Sequence, residues 1–301
     1  MRELITIEFI DNTSYADNDT SDVIGLVMPH VWGPVDKLTP VNYSKFMQLW
    51  PELESPGWIK ASQAFQAGAG LCEILRPQLG AEYQMYVVTD TGFQTVSSAK
   101  QFVVSESDLN GAKNLVVFSL LYPGSPKGTV NSIEIEMTPI YEETVVEPTP
   151  ADVPIDVQAT VTLYDLNGNM VEGPHEGLMI SQEIIDGNSV NIGDVLRKKS
   201  YFMRYQLTDA QGLIVREQLV EEPNPQPSNN YVEQTPDIKA PVIAETAGEG
   251  VDLTIAQLVT LYTKWFSHME TSQSTILIPT VCNTLLENAI TQICAQRSEC
   301  M

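Results

Sequence analysis

The chain has 301 residues, 43% hydrophobic and 8% aromatic, with 16 Lys and Arg against 39 Asp and Glu for a net charge of −23. It can bury a real core, and its length calls for two or three compact units. Such an acidic surface excludes the phosphate-neutralising footprint of a nucleic-acid binder and disfavours anionic membranes, and no stretch has the roughly 20 apolar residues of a membrane span.

From the N-terminus, residues 3–10 alternate, with Leu4, Thr6, Glu8 and Ile10 on one face and Ile5, Ile7 and Phe9 on the other, which predicts a strand. The polar stretch 11–22 tethers it, so it can join its own sheet or a neighbour's. Its apolar run is too short for a secretory leader and is broken by Glu3 and Glu8; a cytoplasmic site of synthesis is expected. Residues 23–28 read as a buried strand, and Trp32-Gly33-Pro34 as a turn. Asn42 is placed to cap a short helix reaching Trp50, which Pro51 stops. A second helix is predicted over 58–69, with Trp58, Ala61, Ala64 and Phe65 on one stripe and glycines 68 and 70 ending it. A strand over 71–76 completes a strand, helix, strand order, which predicts a parallel α/β layer.

Residues 83–104 hold two β-prone runs around Asp90-Thr91-Gly92, a hairpin. Residues 115–122 are apolar on both faces, as in a central strand. In 132–137, Ile133, Ile135 and Met137 alternate with Ser132, Glu134 and Glu136, a half-exposed strand. From 138 the chain turns to strands and turns, and between Gly128 and Leu196 it has no Lys or Arg. That asymmetry reads as a solubilising surface, with an acidic docking face as the alternative. Segments 161–171 and 205–215 resemble each other, both β-prone around Asp-x-x-Gly, and predict hairpins. Further on, Asp252 is placed to cap a helix through His268 with Ile255, Leu258, Val259, Tyr262 and Phe266 on its apolar side. A short buried strand over 275–279 and a helix over 283–297 follow.

The fold class predicted is α/β in mixed α+β form, multidomain, with a discontinuous core. An N-terminal arm covers 1–20; an α/β core covers 21–137 and 231–301, with a small hairpin insertion at about 79–110; a β-rich inserted domain covers 138–222, and a linker 223–230.

Patterns that carry chemistry are weak throughout. Residues 124–129 depart from a phosphate loop in glycine spacing, and Pro126 removes an amide donor, so they read as a turn. His30, His175 and His268 have no metal-ligand spacing, and His268 reads as a helix-end residue. Cys72, Cys282, Cys294 and Cys300 include no CxxC pair and are expected as reduced thiols. No nucleophile elbow occurs, and no carboxylate pair stands out for glycoside hydrolysis. The turns opened by Asp165 and Asp209 lack the terminal Glu of a calcium loop and read as hairpin tips. No catalytic residue, metal or cofactor is assigned, and an enzyme is not expected.

Four blocks in order resemble the contractile bacteriophage tail sheath family. Residues 24–51 are similar to its early apolar strand, Gly-Pro loop and short helix ending in an aromatic, here with Trp32, Gly33 and Pro34. Residues 61–77 are similar to its helix, Gly-rich turn and strand ending in Arg. Residues 115–137, with Tyr122-Pro123-Gly124 before an alternating strand, are similar to its most recognisable signature. The end resembles its apolar strand, proline, helix and Arg-x-Asp-Cys, here Arg297-Ser-Glu-Cys300. The family usually opens with Pro-Gly-Val, where this chain has Leu4, Ile5, Thr6, Ile7 and Phe9, and it continues past the Asp-Cys position into a strand and a C-terminal domain.

The resemblance implies a structural subunit that polymerises with copies of itself in helical rings around a tail tube and contracts to drive the tube through the host envelope. Its implied partners are further copies, the tail tube and the baseplate, with no nucleic acid, membrane insertion or small-molecule substrate. Its implied place is the phage tail of the virion, assembled in the host cytoplasm, and the chain is expected to be an N-terminal fragment without the tube-contacting domain. Leu4, Ile5, Thr6, Ile7 and Phe9 would form the arm that joins a neighbour's sheet. Two further readings remain open: a sheath subunit of a bacteriocin or secretion-type contractile apparatus, and a receptor- or carbohydrate-binding β-module.

Overall fold

The computed structural model describes residues 23–50, 56–89, 92–110, 114–126, 129–140, 156–185, 187–207, 237–241, 253–267, 275–278 and 283–296. The predicted arm, the linker over 223–230, and Arg297 and Cys300 lie outside them.

Strand β1 (Val23–Val27) leads through a buried loop to β2 (Leu38–Val41), helix α1 (Tyr43–Leu49), helix α2 (Pro56–Gln66) and strand β3 (Leu71–Leu75). The α1 cap falls on the expected residue: Asn42 Oδ1 accepts from the Lys45 amide at 2.9 Å. The next hairpin joins β4 (Tyr83–Thr89) to β5 (Gly92–Ser98), followed by β6 (Asn114–Leu120), β7 (Ser132–Ile140), β8 (Asp156–Tyr164) and β9 (Met170–Leu178). A two-residue pair, β10 (Ile184–Ile185) and β11 (Asn188–Ser189), precedes helix α3 (Ile192–Lys199) and β12 (Met203–Leu207). The described chain ends with β13 (Asp237–Pro241), α4 (Ile255–Phe266), β14 (Thr275–Leu277) and α5 (Thr284–Gln296).

These elements form a mixed α+β fold of several sheets. The α/β layer has the order β14-β1-β3-β2, parallel except for β2. Alternation along its strands sends Leu26, Val41, Cys72 and Ile74 against α1 and α2, and Val27 and Leu75 against α4 and α5. Tyr262 stitches the layer from above: its hydroxyl accepts from the Val27 amide at 3.2 Å and donates to the Leu277 carbonyl.

Two four-stranded antiparallel sheets, β12-β6-β4-β5 and β13-β7-β8-β9, face each other as a sandwich. Their shared core holds Tyr86, Val88, Val116, Phe118 and Leu120 from one sheet and Ile133, Ile135, Val157, Ala159, Val161 and Leu163 from the other. Helix α3 closes the side, burying Ile192 and Leu196 in the same core. The other face of the β4 sheet packs Met85, Val87 and Val117 beneath Phe102, Val104 and Leu109.

The expected partition is therefore redrawn. The hairpin near 79–110 pairs with the strand over 115–122, which pairs in turn with β12 in the sandwich, not with the α/β core. The boundary at 137/138 runs through β7, whose pairing with β8 is unbroken from Ser132 to Ile140. Strand β13 pairs with β7, so the return to the α/β layer comes with α4. A strand apolar on both faces, such as β6, suits any twice-covered position, and a parallel layer and a sandwich sheet cover it equally well.

Smaller corrections follow from capping. Helix α4 starts after Thr254, not Asp252, because Thr254 and Gln257 form a reciprocal capping box. Helix α2 ends at Gln66 rather than 69, and β14 is half-buried. Helix α3 stands in a stretch expected to hold strands and turns, capped by Asn191 Oδ1 accepting from the Gly193 amide at 2.9 Å. The hairpin over 161–171 is present, its tip tied by Asp165 Oδ1 accepting from the amides of Asn167 and Asn169, both at 2.8 Å.

Candidate functional site

The loop between β1 and β2, the end of β3 and the turn after β6 meet at one buried point, and Arg76 is its centre. Arg76 closes the apolar run of β3 and is only 1% exposed. Its Nε donates to the His30 carbonyl and its Nη1 to the Gly33 carbonyl at 2.7 Å. The guanidinium thus spans two carbonyls of one loop, a use that its planar fork suits. Burial pulls its pKa down to about 9, against the favourable fields of Tyr83 and Asp36.

Around this cation the motif residues interlock. The Trp32 amide donates to His30 Nδ1 at 3.1 Å, which turns the loop back on itself. Trp32 meets the Tyr122 ring edge-on at 5.5 Å and Phe202 in a stack at 6.1 Å. The Ser125 amide donates to the Val31 carbonyl at 3.0 Å and the Gly124 amide to the Glu82 carbonyl at 2.8 Å. Glycine is required twice. At Gly124, with φ +97°, a Cβ would stand 1.9 Å from the Val31 carbonyl oxygen; at Gly33, with φ +107°, one would stand 2.2 Å from Trp50 Nε1. Pro34 and Pro123 are buried beside them.

Trp32, Gly33, Pro34, Tyr122, Pro123 and Gly124 are thus brought together, although they were picked out as separate blocks. Arg76 was noticed only as the end of a strand. An arginine closing the apolar run Leu71-Cys72-Glu73-Ile74-Leu75, just before Pro77, was the available signal for a buried cation.

The arrangement has the means to hold two parts of the fold together. Among the described residues no group of three His, Cys, Asp or Glu could hold a metal ion. His30 and His175 serve separate contacts, the latter with Glu172 at 3.1 Å.

Burial also sets a pH response. Cys72 is pushed up to about 12, and the phenols of Tyr86 and Tyr262 are driven above their ordinary range, all by desolvation. Each stays neutral in the fold but ionises in the unfolded chain, from its ordinary value of 9.0 for the thiol and 10.0 for the phenols. Their stabilising contribution is complete below those values and is lost as pH rises, at about 1.4 kcal/mol per pH unit for each group. The urea midpoint is expected to fall steadily from pH 9 to 11, more gently in Cys72→Ala; a flat profile would contradict this account.

No family model matches the chain, and no curated protein matches it. Solved structures do. A sheath tail protein from Desulfitobacterium hafniense is 10% identical, with a TM-score of 0.41 over 97% of this chain and 49% of that one. A sheath tail protein from Listeria innocua is 13% identical, with a TM-score of 0.46 over 93% of this chain and 45% of that one. The chain spans about half the length of either.

Proposed function

We propose that this chain is a structural, non-catalytic subunit of a contractile tail sheath, acting through copies of itself. The observation that carries the reading is the junction. Three sequence blocks that resemble the sheath family pack on one another around Arg76, through contacts among Val31, Trp32, Gly33, Tyr122 and Gly124. Such a clamp joins the α/β layer to the sandwich, so that force applied to one is passed to the other.

A subunit that slides and rotates against its neighbours needs stiffness inside and adjustable contacts outside. On this reading the copies stack in helical rings around a tail tube, with tube and baseplate proteins as partners in a virion tail. Contraction then drives the tube through the host envelope. Negative-stain microscopy of the full-length product tests it: tubes or cogwheel rings are expected. A product that stays solitary at high concentration and is missing from purified particles would overturn it.

A further inference from the structure

The sequence places Lys and Arg side by side only at Arg197, Lys198 and Lys199, on a chain of net charge −23. They form the last turn of α3 and all three are exposed, with Tyr201 58% exposed just beyond them. Cations in a last turn ordinarily answer the helix dipole and its free carbonyls. Here two carbonyls at this end have another cation, since Arg204 Nη1 donates to Leu196 O at 3.2 Å and Ser200 O at 2.9 Å. Arg197 reaches back to Asp194, while among the described residues Lys198 and Lys199 have no ion pair.

The opposite sign is laid out on the β8 sheet. One face of that sheet is the sandwich core. On the other, the register aligns Glu136, Thr160 and Glu176 in a single row across β7, β8 and β9. Glu136 and Glu176 are exposed, and two strand spacings put them on the order of 10 Å apart. In the adjacent row, Glu134 accepts from the Tyr164 hydroxyl at 2.6 Å. Among the described residues neither Glu136 nor Glu176 has an ion pair.

We propose that the basic turn of α3 docks on the acidic row of the β8 sheet of a second copy. The proposal rests on the self-assembly reading above and names the faces that meet. Because the two faces differ, every subunit offers one of each, and the contact propagates into rings or helices instead of closing as a pair. Exposed Lys–carboxylate contacts govern register and association rate more than holding strength, and salt screens them over about 8–10 Å.

The test uses the full chain, with sedimentation velocity and light scattering at about 50 and about 500 mM salt. Lys198→Glu with Lys199→Glu is expected to lower association at least tenfold, and so is Glu136→Lys with Glu176→Lys, with circular dichroism unchanged. Mixing the two reversed variants is expected to restore it, since each then carries a face complementary to the other. If the parent chain associates and either reversal leaves it untouched, the face pairing is overturned while self-assembly stands. Loss on reversing the lysines alone points to a different acidic partner and also overturns it. A parent chain that stays monomeric at both salts overturns the assembly reading and this pairing together.

Discussion

Arg76→Ala is expected to lower the stability of the fold by about 4 kcal/mol, seen as a fall in the urea midpoint at unchanged slope. Two effects compete. Removing the guanidinium ends the cost of keeping a charge away from water, which is several kcal/mol per buried ion. Against that, the carbonyls of His30 and Gly33 lose their donors inside the junction, at about 1–3 kcal/mol each, and the stem leaves a cavity. The second set wins because alanine cannot reach either carbonyl and no water has a ready path to a site 1% exposed. Arg76→Lys separates charge from shape. A point charge on a flexible stem can serve one carbonyl but not both, so about half of the loss is expected. A lysine variant as stable as the parent would show that the planar fork has no part in the clamp.

The same comparison bears on how much of the molecule could be read in advance. Local rules performed well where one residue decides the outcome: Asn42 caps α1, β1 and β3 pair in parallel, and the Asp165 tip closes a hairpin. They failed where the deciding partner is distant. Strand β6 pairs with β12, Phe118 opposite Tyr205, and no periodicity within either strand announces that match. Helix α3 is eight residues with a glycine at its second position, too short and too weak in propensity to stand out, although Asn191 before it and the basic last turn were visible. The candidate site was legible as pieces. Gly33 and Gly124 looked like turn residues, and each is a glycine because another group occupies the space of its Cβ; that is a property of the assembled fold.

Gly124→Ala should be as damaging as loss of the cation, and the two losses should not add. The new methyl would meet the Val31 carbonyl oxygen at 1.9 Å and Arg76 Nη2 at 3.0 Å, in a backbone conformation that costs a non-glycine residue about 1–2 kcal/mol on its own. Gly68, with φ +103° and nothing within 4 Å of its would-be Cβ, isolates that backbone cost, so Gly68→Ala should lose only about 1 kcal/mol. The excess at Gly124, expected at about 2 kcal/mol or more, then measures the close approach of the two loops. Combining Gly124→Ala with Arg76→Ala removes contacts that both depend on the same loop over 30–33, because the first variant already displaces Val31 and with it the carbonyls that Arg76 holds. The double variant should therefore lose at least about 1 kcal/mol less than the sum of the single losses, the sign of one shared unit. Strict additivity would mean that the turn after β6 and the end of β3 hold the loop independently. The junction would then be two contacts that happen to be neighbours, with no continuous path for force between the α/β layer and the sandwich.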